Sequence, residues 1–204
     1  LAGLLDKESG SIRIQGKEMS EERLDEIRSQ IGIVFQNPDN QFIGSTVRDD
    51  IAFGLENHQV EPMKMEAIIK DNAQRVGMSA FLDQEPMHLS GGQKQRVWIA
   101  MSLAQKSRFL FLDEPTTYLD IKYQIEILEL IRSINRDFGI TVVMVLHDIN
   151  QALKYSDDVV GLKDGNIVFS GHPDEVITDE SVSNLYDIGL AVEMFKGGKV
   201  VLQK

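Results

Sequence analysis

Apolar residues recur along this chain in two rhythms, and the rhythms alternate. SIRIQG sets Ile12 and Ile14 between polar neighbours, which predicts a half-buried strand. IGIVFQ (Ile31–Gln36), RFLFLD (Arg108–Asp113) and ITVVMVLHD are short continuous apolar runs that predict buried strands. Between them the period changes. Ile121, Ile125, Leu128, Ile131, Ile134 and Phe138 step by three or four, predicting a helix over Ile121–Phe138 that Gly139 ends. Further helices are predicted from Glu21 to about Gln30 behind a Ser20 cap, at Thr46–Phe53, at Glu61–Val76 closed by Gly77, from Ser90 to about Gln105, and at Ile149–Tyr155. The opening LAGLL reads as a helix end running into a turn at Ser9-Gly10, and Asn37-Pro38-Asp39-Asn40 is a dense turn signal. Asp158–Leu162 and Asn166–Ser170 read as short strands, followed by a hairpin over about 191–203 around Gly197-Gly198.

Strands alternating with helices predict an α/β fold with a mostly parallel sheet covered on both faces. The helical stretch at about 46–105 interrupts the alternation and reads as an inserted subdomain. With no repeats and no Pro/Ser-rich linker, one compact unit over residues 1–204 is expected.

Composition changes the picture by exclusion. Asp and Glu number 32 against 21 Lys and Arg, a net charge of −11, which argues against nucleic acid or an anionic membrane surface as a partner. No apolar run approaches the ~20 residues of a membrane span. The absence of Cys excludes disulfides, thiolate metal sites and a Cys nucleophile. The first residue is Leu, and the chain is expected to start within a longer protein.

Candidate chemistry gathers at strand ends. RFLFLDEP delivers Asp113 and Glu114 at the C-terminal end of an apolar strand, where ligands sit in open α/β sheets. One carboxylate there can hold Mg²⁺, directly or through water, and its neighbour can orient and deprotonate an attacking water; the plainer alternative is a solvated acidic turn. In LSGGQKQR, Ser90 is a good N-cap, and Gly91 and Gly92 remove side chains from the first helical turn. Two glycines there weaken a helix, so a start that binds an anion such as phosphate explains them better than a simple cap. Gln36 and His147 also leave the ends of apolar strands. A histidine so placed can hydrogen-bond a terminal phosphate oxygen or fix a water; alone it would be read as structural. His58, His88 and His172 fall in polar loops and carry no assignment.

Together these residues resemble the ATP-binding subunit of an ABC transporter. IVFQNPD is similar to the family's Q-loop, LSGGQKQR to its signature, FLFLDEP to the Walker B strand with its glutamate, Tyr118-Leu119-Asp120 to the D-loop, and LHD to the switch histidine. The five motifs stand in the family's order. The resemblance implies a P-loop NTPase-type fold, ATP and Mg²⁺ as cofactors, and a head-to-tail pair of subunits, homo- or heterodimeric, sandwiching two ATP molecules. It further implies that Glu114 polarises the attacking water and His147 holds the γ-phosphate. Asp113 and Gln36 would serve Mg²⁺, and Ser90, Gly91, Gly92 and Gln93 would close over the nucleotide of the partner, with Asp120 in the D-loop. Membrane permease subunits would dock on Asn37–Gly54, where Phe42, Ile43 and Phe53 stand among polar residues, placing the protein at the cytoplasmic face of the membrane.

The phosphate loop G-x-x-x-x-G-K-[ST] does not occur in these residues, nor does the family's adenine-stacking aromatic. An N-terminally incomplete sequence that is inactive alone is therefore expected. Gln36–Asn57 resembles the ATPases of energy-coupling-factor importers for cobalt, nickel and vitamins. DEPTTYLDIKYQIEILELI, VLHDINQALKYSD and HPDEVITDESVSNLYDI resemble those of iron-siderophore, haem and cobalamin importers. Two other functions fit the same motifs: a soluble ABC-type ATPase of translation or DNA repair, and a non-hydrolysing partner subunit.

Overall fold

The computed structural model describes residues 10–14, 16–20, 24–36 and 42–204. The predicted N-terminal helix end, the first turn of the helix behind Ser20 and the Asn37–Asn40 turn lie outside the described residues. Where one compact unit is expected, the chain divides into two, Leu1–Val145 and Leu146–Lys204.

In the first unit, β1 (Arg13–Ile14) and β2 (Lys17–Glu18) form a small antiparallel hairpin, followed by the short helix α1 (Leu24–Arg28). The centre is a parallel sheet in the order β3-β4-β5, from β3 (Ile31–Val34), β4 (Phe109–Asp113) and β5 (Thr141–Val145). Ile31 pairs with Phe109, and Phe109 with Thr141, so all three strands end on one side of the sheet. Alternation along a strand puts Gly32, Val34, Leu110, Leu112, Val142 and Met144 on one face. That face packs in the main core with Ile127, Ile131 and Ile134.

On the opposite face Ile31 is buried, while exposure rises toward β5. Val143 and Val145 are 46% and 52% exposed, and Phe109 and Phe111 only half-buried. In TVVMV both faces are apolar, so periodicity cannot tell the packed face from the other.

Between β3 and β4 the chain is helical: α2 (Val47–Asn57), α3 (Pro62–Arg75), two 3₁₀ turns at Ser79–Phe81 and Pro86–His88, and α4 (Gly91–Ala104). Thr46 and Asp49 close a capping box at the start of α2. Arg48 ties that start to α3 through Glu66, at 2.8 Å, and to the turn before α4 through Asp83, at 2.9 Å. Helix α4 lies so close to β3 that a Cβ on Gly32 would sit 2.8 Å from the Ser102 side chain. Helix α5 (Ile121–Phe138) has the predicted bounds, with Gly139 as its left-handed cap at φ +63°. Its buried stripe differs: Ile127, Leu128, Ile131 and Ile134 are buried, whereas Ile121 and Ile125 are exposed. Phe138, also partly exposed, lies under the Arg75 guanidinium at 4.5 Å.

The second unit holds α6 (Ile149–Tyr155), the antiparallel pair β6 (Val159–Lys163) and β7 (Asn166–Gly171), α7 (Pro173–Val176), α8 (Asp179–Tyr186), and the hairpin β8 (Leu190–Phe195) with β9 (Gly198–Gln203). Phe195 pairs with Gly198, so the hairpin turns on Lys196-Gly197, one residue earlier than expected. Both turn residues have positive φ, +48° and +86°, which suits a right-twisted hairpin. The core here is Val159, Ile177, Val182, Leu190 and Val201.

Candidate nucleotide site

Two of the expected residues meet at the strand ends. Gln36 lies two positions beyond β3 and Glu114 one beyond β4; the parallel register carries both to the same side of the sheet. The Gln36 Nε2 donates to Glu114 Oε2 at 2.6 Å. Thr117 Oγ1 donates to the same oxygen at 3.0 Å, a partner that motif reading missed. Glu114 has φ +50°, a left-handed conformation that costs a residue with a Cβ about 1 kcal/mol or more. The turn behind it fixes that conformation: Thr117 N–H donates to the Glu114 carbonyl, and Leu119 N–H to that of Thr116. Tyr118, also left-handed at φ +63°, is thrown outward and is 90% exposed.

Asp113 ends β4 with an exposed side chain, next to this pair in sequence. A carboxylate at a strand end is a hard-oxygen ligand of the kind Mg²⁺ takes when phosphates and water supply most of its other ligands. Among the described residues no group of three or more Asp, Glu or His side chains is placed to hold a metal ion by itself. Asp120 is the N-cap of α5, yet its carboxylate makes no cap hydrogen bond.

Ser90 caps α4 in a reciprocal box: its hydroxyl accepts the Gln93 N–H at 3.4 Å, and Gln93 Oε1 accepts the Ser90 N–H at 2.8 Å. The glycines inside that turn are not demanded by local geometry. A Cβ on Gly91 would meet Leu119 at 3.5 Å and one on Gly92 would meet Tyr123 at 3.8 Å, both ordinary contacts. The N–H groups of a first helical turn have no partner within the helix, so this end can receive an anion.

His147 belongs to the second unit, two residues past β5, with its side chain exposed. Its carbonyl accepts the Tyr186 hydroxyl at 3.2 Å.

The stretch expected to dock a partner needs one correction. Phe42 is not an exposed anchor. It is half-buried, packed on Trp98 with ring centroids 5.4 Å apart and against the main core. Ile43 is 70% exposed, and Phe53 is partly exposed. Asp50, only 1% exposed, accepts the N–H groups of Ile43 and Gly44 through Oδ1 at 2.8 and 2.9 Å, while its Oδ2 has no partner. Burial raises its pKa above the usual carboxylate range, against the lowering effect of the two backbone bonds. Gly44 is required there: a Cβ would stand 2.8 Å from the Asp50 backbone nitrogen.

Comparison with known proteins agrees with the motifs. The ABC transporter family profile matches residues 1–117. The energy-coupling factor transporter ATP-binding protein EcfA1 of Latilactobacillus sakei is 45% identical over all 204 residues, covering 72% of that protein. EcfA1 of Lacticaseibacillus paracasei is 47% identical over 178 residues, 87% of this chain and 64% of that protein. The chain thus spans about two thirds of the length of these relatives, and the match to the first runs through both halves. The solved structure of CbiO1 from Clostridium perfringens, described as part of the ABC transporter complex CbiONQ, superposes with a TM-score of 0.81 at 34% identity, covering 90% of this chain and 74% of that one. Among the described residues no helix is long and apolar enough to cross a membrane. The chain belongs to the ABC transporter family and is similar to ATP-binding proteins of energy-coupling factor transporters.

Proposed function

We propose that this protein is the ATPase of an importer that takes up a metal ion, a metal chelate or a vitamin, working as one of a pair of subunits at the cytoplasmic face of the membrane. The observation that carries the reading is the Gln36–Glu114 bond at 2.6 Å. A glutamine that donates to a carboxylate leaves that carboxylate an acceptor, the state a general base must have. Glu114 is the base for the attacking water. Thr117 and the left-handed turn hold it in place, and Gln36 senses whether the site is filled. Asp113 and the Gln36 amide oxygen would hold Mg²⁺, which neutralises phosphate charge when bound. His147 contacts the γ-phosphate. Ser90, Gly91, Gly92 and Gln93 serve the nucleotide held by the other subunit, with Asp120 facing the same junction. A site divided in this way ties hydrolysis to closure of the pair.

The docking surface for the membrane subunits lies around Ile43, which Asp50 and Gly44 present to solvent, with Phe53 as a second apolar contact. The likeness to an energy-coupling factor transporter protein and to a component of the CbiONQ transporter complex supports a membrane partner.

The test is Glu114→Gln in the assembled transporter. The amide keeps the shape and an acceptor oxygen for Gln36, but takes up no proton. Turnover is expected to fall by about a hundredfold or more, with ATP still bound and the two subunits held together by it. Near-normal turnover, or a pair that ATP does not stabilise, would assign the base elsewhere.

A further inference from the structure

The reach of the His147 imidazole depends on where its backbone sits, and that backbone is held by residues far along the chain. Tyr186, at the end of α8, donates its hydroxyl to the His147 carbonyl at 3.2 Å. The next residue, Asp148, caps α6 by accepting the N–H groups of Asn150 and Gln151 at 2.8 and 3.3 Å. Asn150 then grips β9 with both ends of its amide. Its Nδ2 donates to the Val201 carbonyl at 3.2 Å, and its Oδ1 accepts the Val201 N–H at 2.8 Å. Ile149, Ala152 and Leu153 pack on the core formed by Val159, Ile177, Val182, Leu190 and Val201.

The supports on the far side are anchored in their turn. Ser183 and Leu190 exchange two hydrogen bonds, at 3.2 and 3.0 Å, locking α8 to β8. Asp179 accepts the Val192 N–H at 2.8 Å and pairs with Lys204 at 3.1 Å. Lys163 reaches from β6 to the Asn184 carbonyl at 2.6 Å and to Asp187, fixing the last turn of α8 beside Tyr186. Burial and the nearby charge of Asp148 raise the Tyr186 pKa above its ordinary phenol value.

We propose that Tyr186 is a positioning residue for His147, and that α8 with the β8–β9 hairpin is the frame against which the histidine is set. Without the hydroxyl, the His147 carbonyl loses this bond and the loop gains freedom at the position that matters for the imidazole. The loss falls on the transition state, where phosphate contacts tighten, and hardly on ground-state ATP binding. The inference rests on the reading of His147 as the γ-phosphate contact.

The experiment uses the assembled transporter with Tyr186→Phe, which keeps the ring and removes the donor. A threefold to tenfold fall in kcat is expected, roughly what one hydrogen bond supplies. The KM for ATP should stay within about a factor of two and the thermal midpoint within about 2 °C. The His147 imidazole resonances should move as well. Asn150→Leu, which loses both bonds to β9, should show the same kcat pattern more strongly. Wild-type kcat in Tyr186→Phe overturns the proposal, as does a raised KM or lowered midpoint with kcat unchanged, which marks a merely structural contact. His147→Ala separates the two readings. If that variant keeps its turnover, the role of the histidine is wrong. If it loses turnover while Tyr186→Phe does not, the histidine stands and only the frame fails.

Discussion

The turn after β4 and the start of α4 differ in how far this chain satisfies them by itself. At Glu114 the arrangement closes on its own residues: Gln36 and Thr117 share one carboxylate oxygen, and the following turn holds a φ that glutamate would not choose. At Gly91 and Gly92 the cap is closed by Ser90 and Gln93, yet the missing side chains answer to nothing nearby. Each glycine weakens the helix by about 1 kcal/mol relative to alanine. A group that must be held in one pose is supported by its own neighbours, even at a cost in backbone strain; a feature that costs stability and has no internal use leaves room for something that arrives from outside. The first description fits a base held ready in one subunit, the second a lip that closes on the nucleotide of another.

Gly92→Ala tests that contrast most sharply. With Tyr123 3.8 Å from the new methyl, the protein should be more stable, by about 0.5–1 kcal/mol in urea unfolding. Turnover of the assembled transporter should nevertheless fall about a hundredfold, because a methyl pushes phosphate away from the first-turn N–H groups much as removal of a preorganised donor does. Stability and activity moving in opposite directions is the expected signature. A variant that loses stability, or keeps its turnover, would make Gly92 a packing glycine and erase the distinction from Glu114.

The same contrast explains what could be read without coordinates. The charges of Asp113 and Glu114 follow an unbroken apolar run, and Gly139 follows a regular helical period, so strand end and helix end were both legible. The strain at Glu114 and its bond to Thr117 were not, because both depend on a turn closed by backbone hydrogen bonds that residue types do not announce. Burial failed where both sides of an element are apolar: Val143 and Val145 on β5, Ile121 and Ile125 on α5. Helix α8 went unseen although Thr178 caps it, since its box closes with Ser181 instead of the usual Glu or Gln. Phe42 was misread as an anchor because the partner that buries it, Trp98, lies on α4, 56 positions away by their numbers.

That misreading yields a second contrast, between adjacent residues. Phe42→Ser should destabilise the protein by about 1–2 kcal/mol, since it strips a half-buried side chain off the core and breaks an aromatic contact. Ile43→Ser should leave the unfolding midpoint nearly unchanged, because its side chain already faces solvent. Its effect belongs to the membrane subunit: co-purification should weaken while ATP hydrolysis by the detached subunit persists. Intact complex formation in Ile43→Ser would move the docking surface elsewhere along α2, and equal stability losses in the two variants would undo the inside–outside assignment.

Asp50 gives the smallest expected effect and the one with a sign. Burial raises its pKa in the folded protein above the ordinary 3.8, so the folded state binds its proton more readily than the unfolded chain. The stability linked to that proton is present below the ordinary carboxylate range and is lost as pH rises through the raised value; above it, the curve is flat for this group. Asp50→Asn carries no charge to titrate, and its side-chain oxygen can still accept from Ile43 and Gly44. Unfolding curves taken between about pH 4 and 8 should therefore show wild type losing ground to Asp50→Asn as the pH rises, with amide exchange at Ile43 and Gly44 still slow in the variant. Parallel pH profiles would mean that Asp50 titrates normally. Fast exchange in the asparagine variant would mean that the charge, and not the acceptor geometry alone, holds the residues that present Ile43. A buried carboxylate with one oxygen unpartnered is unfavourable for the fold, as the two glycines are at the start of α4.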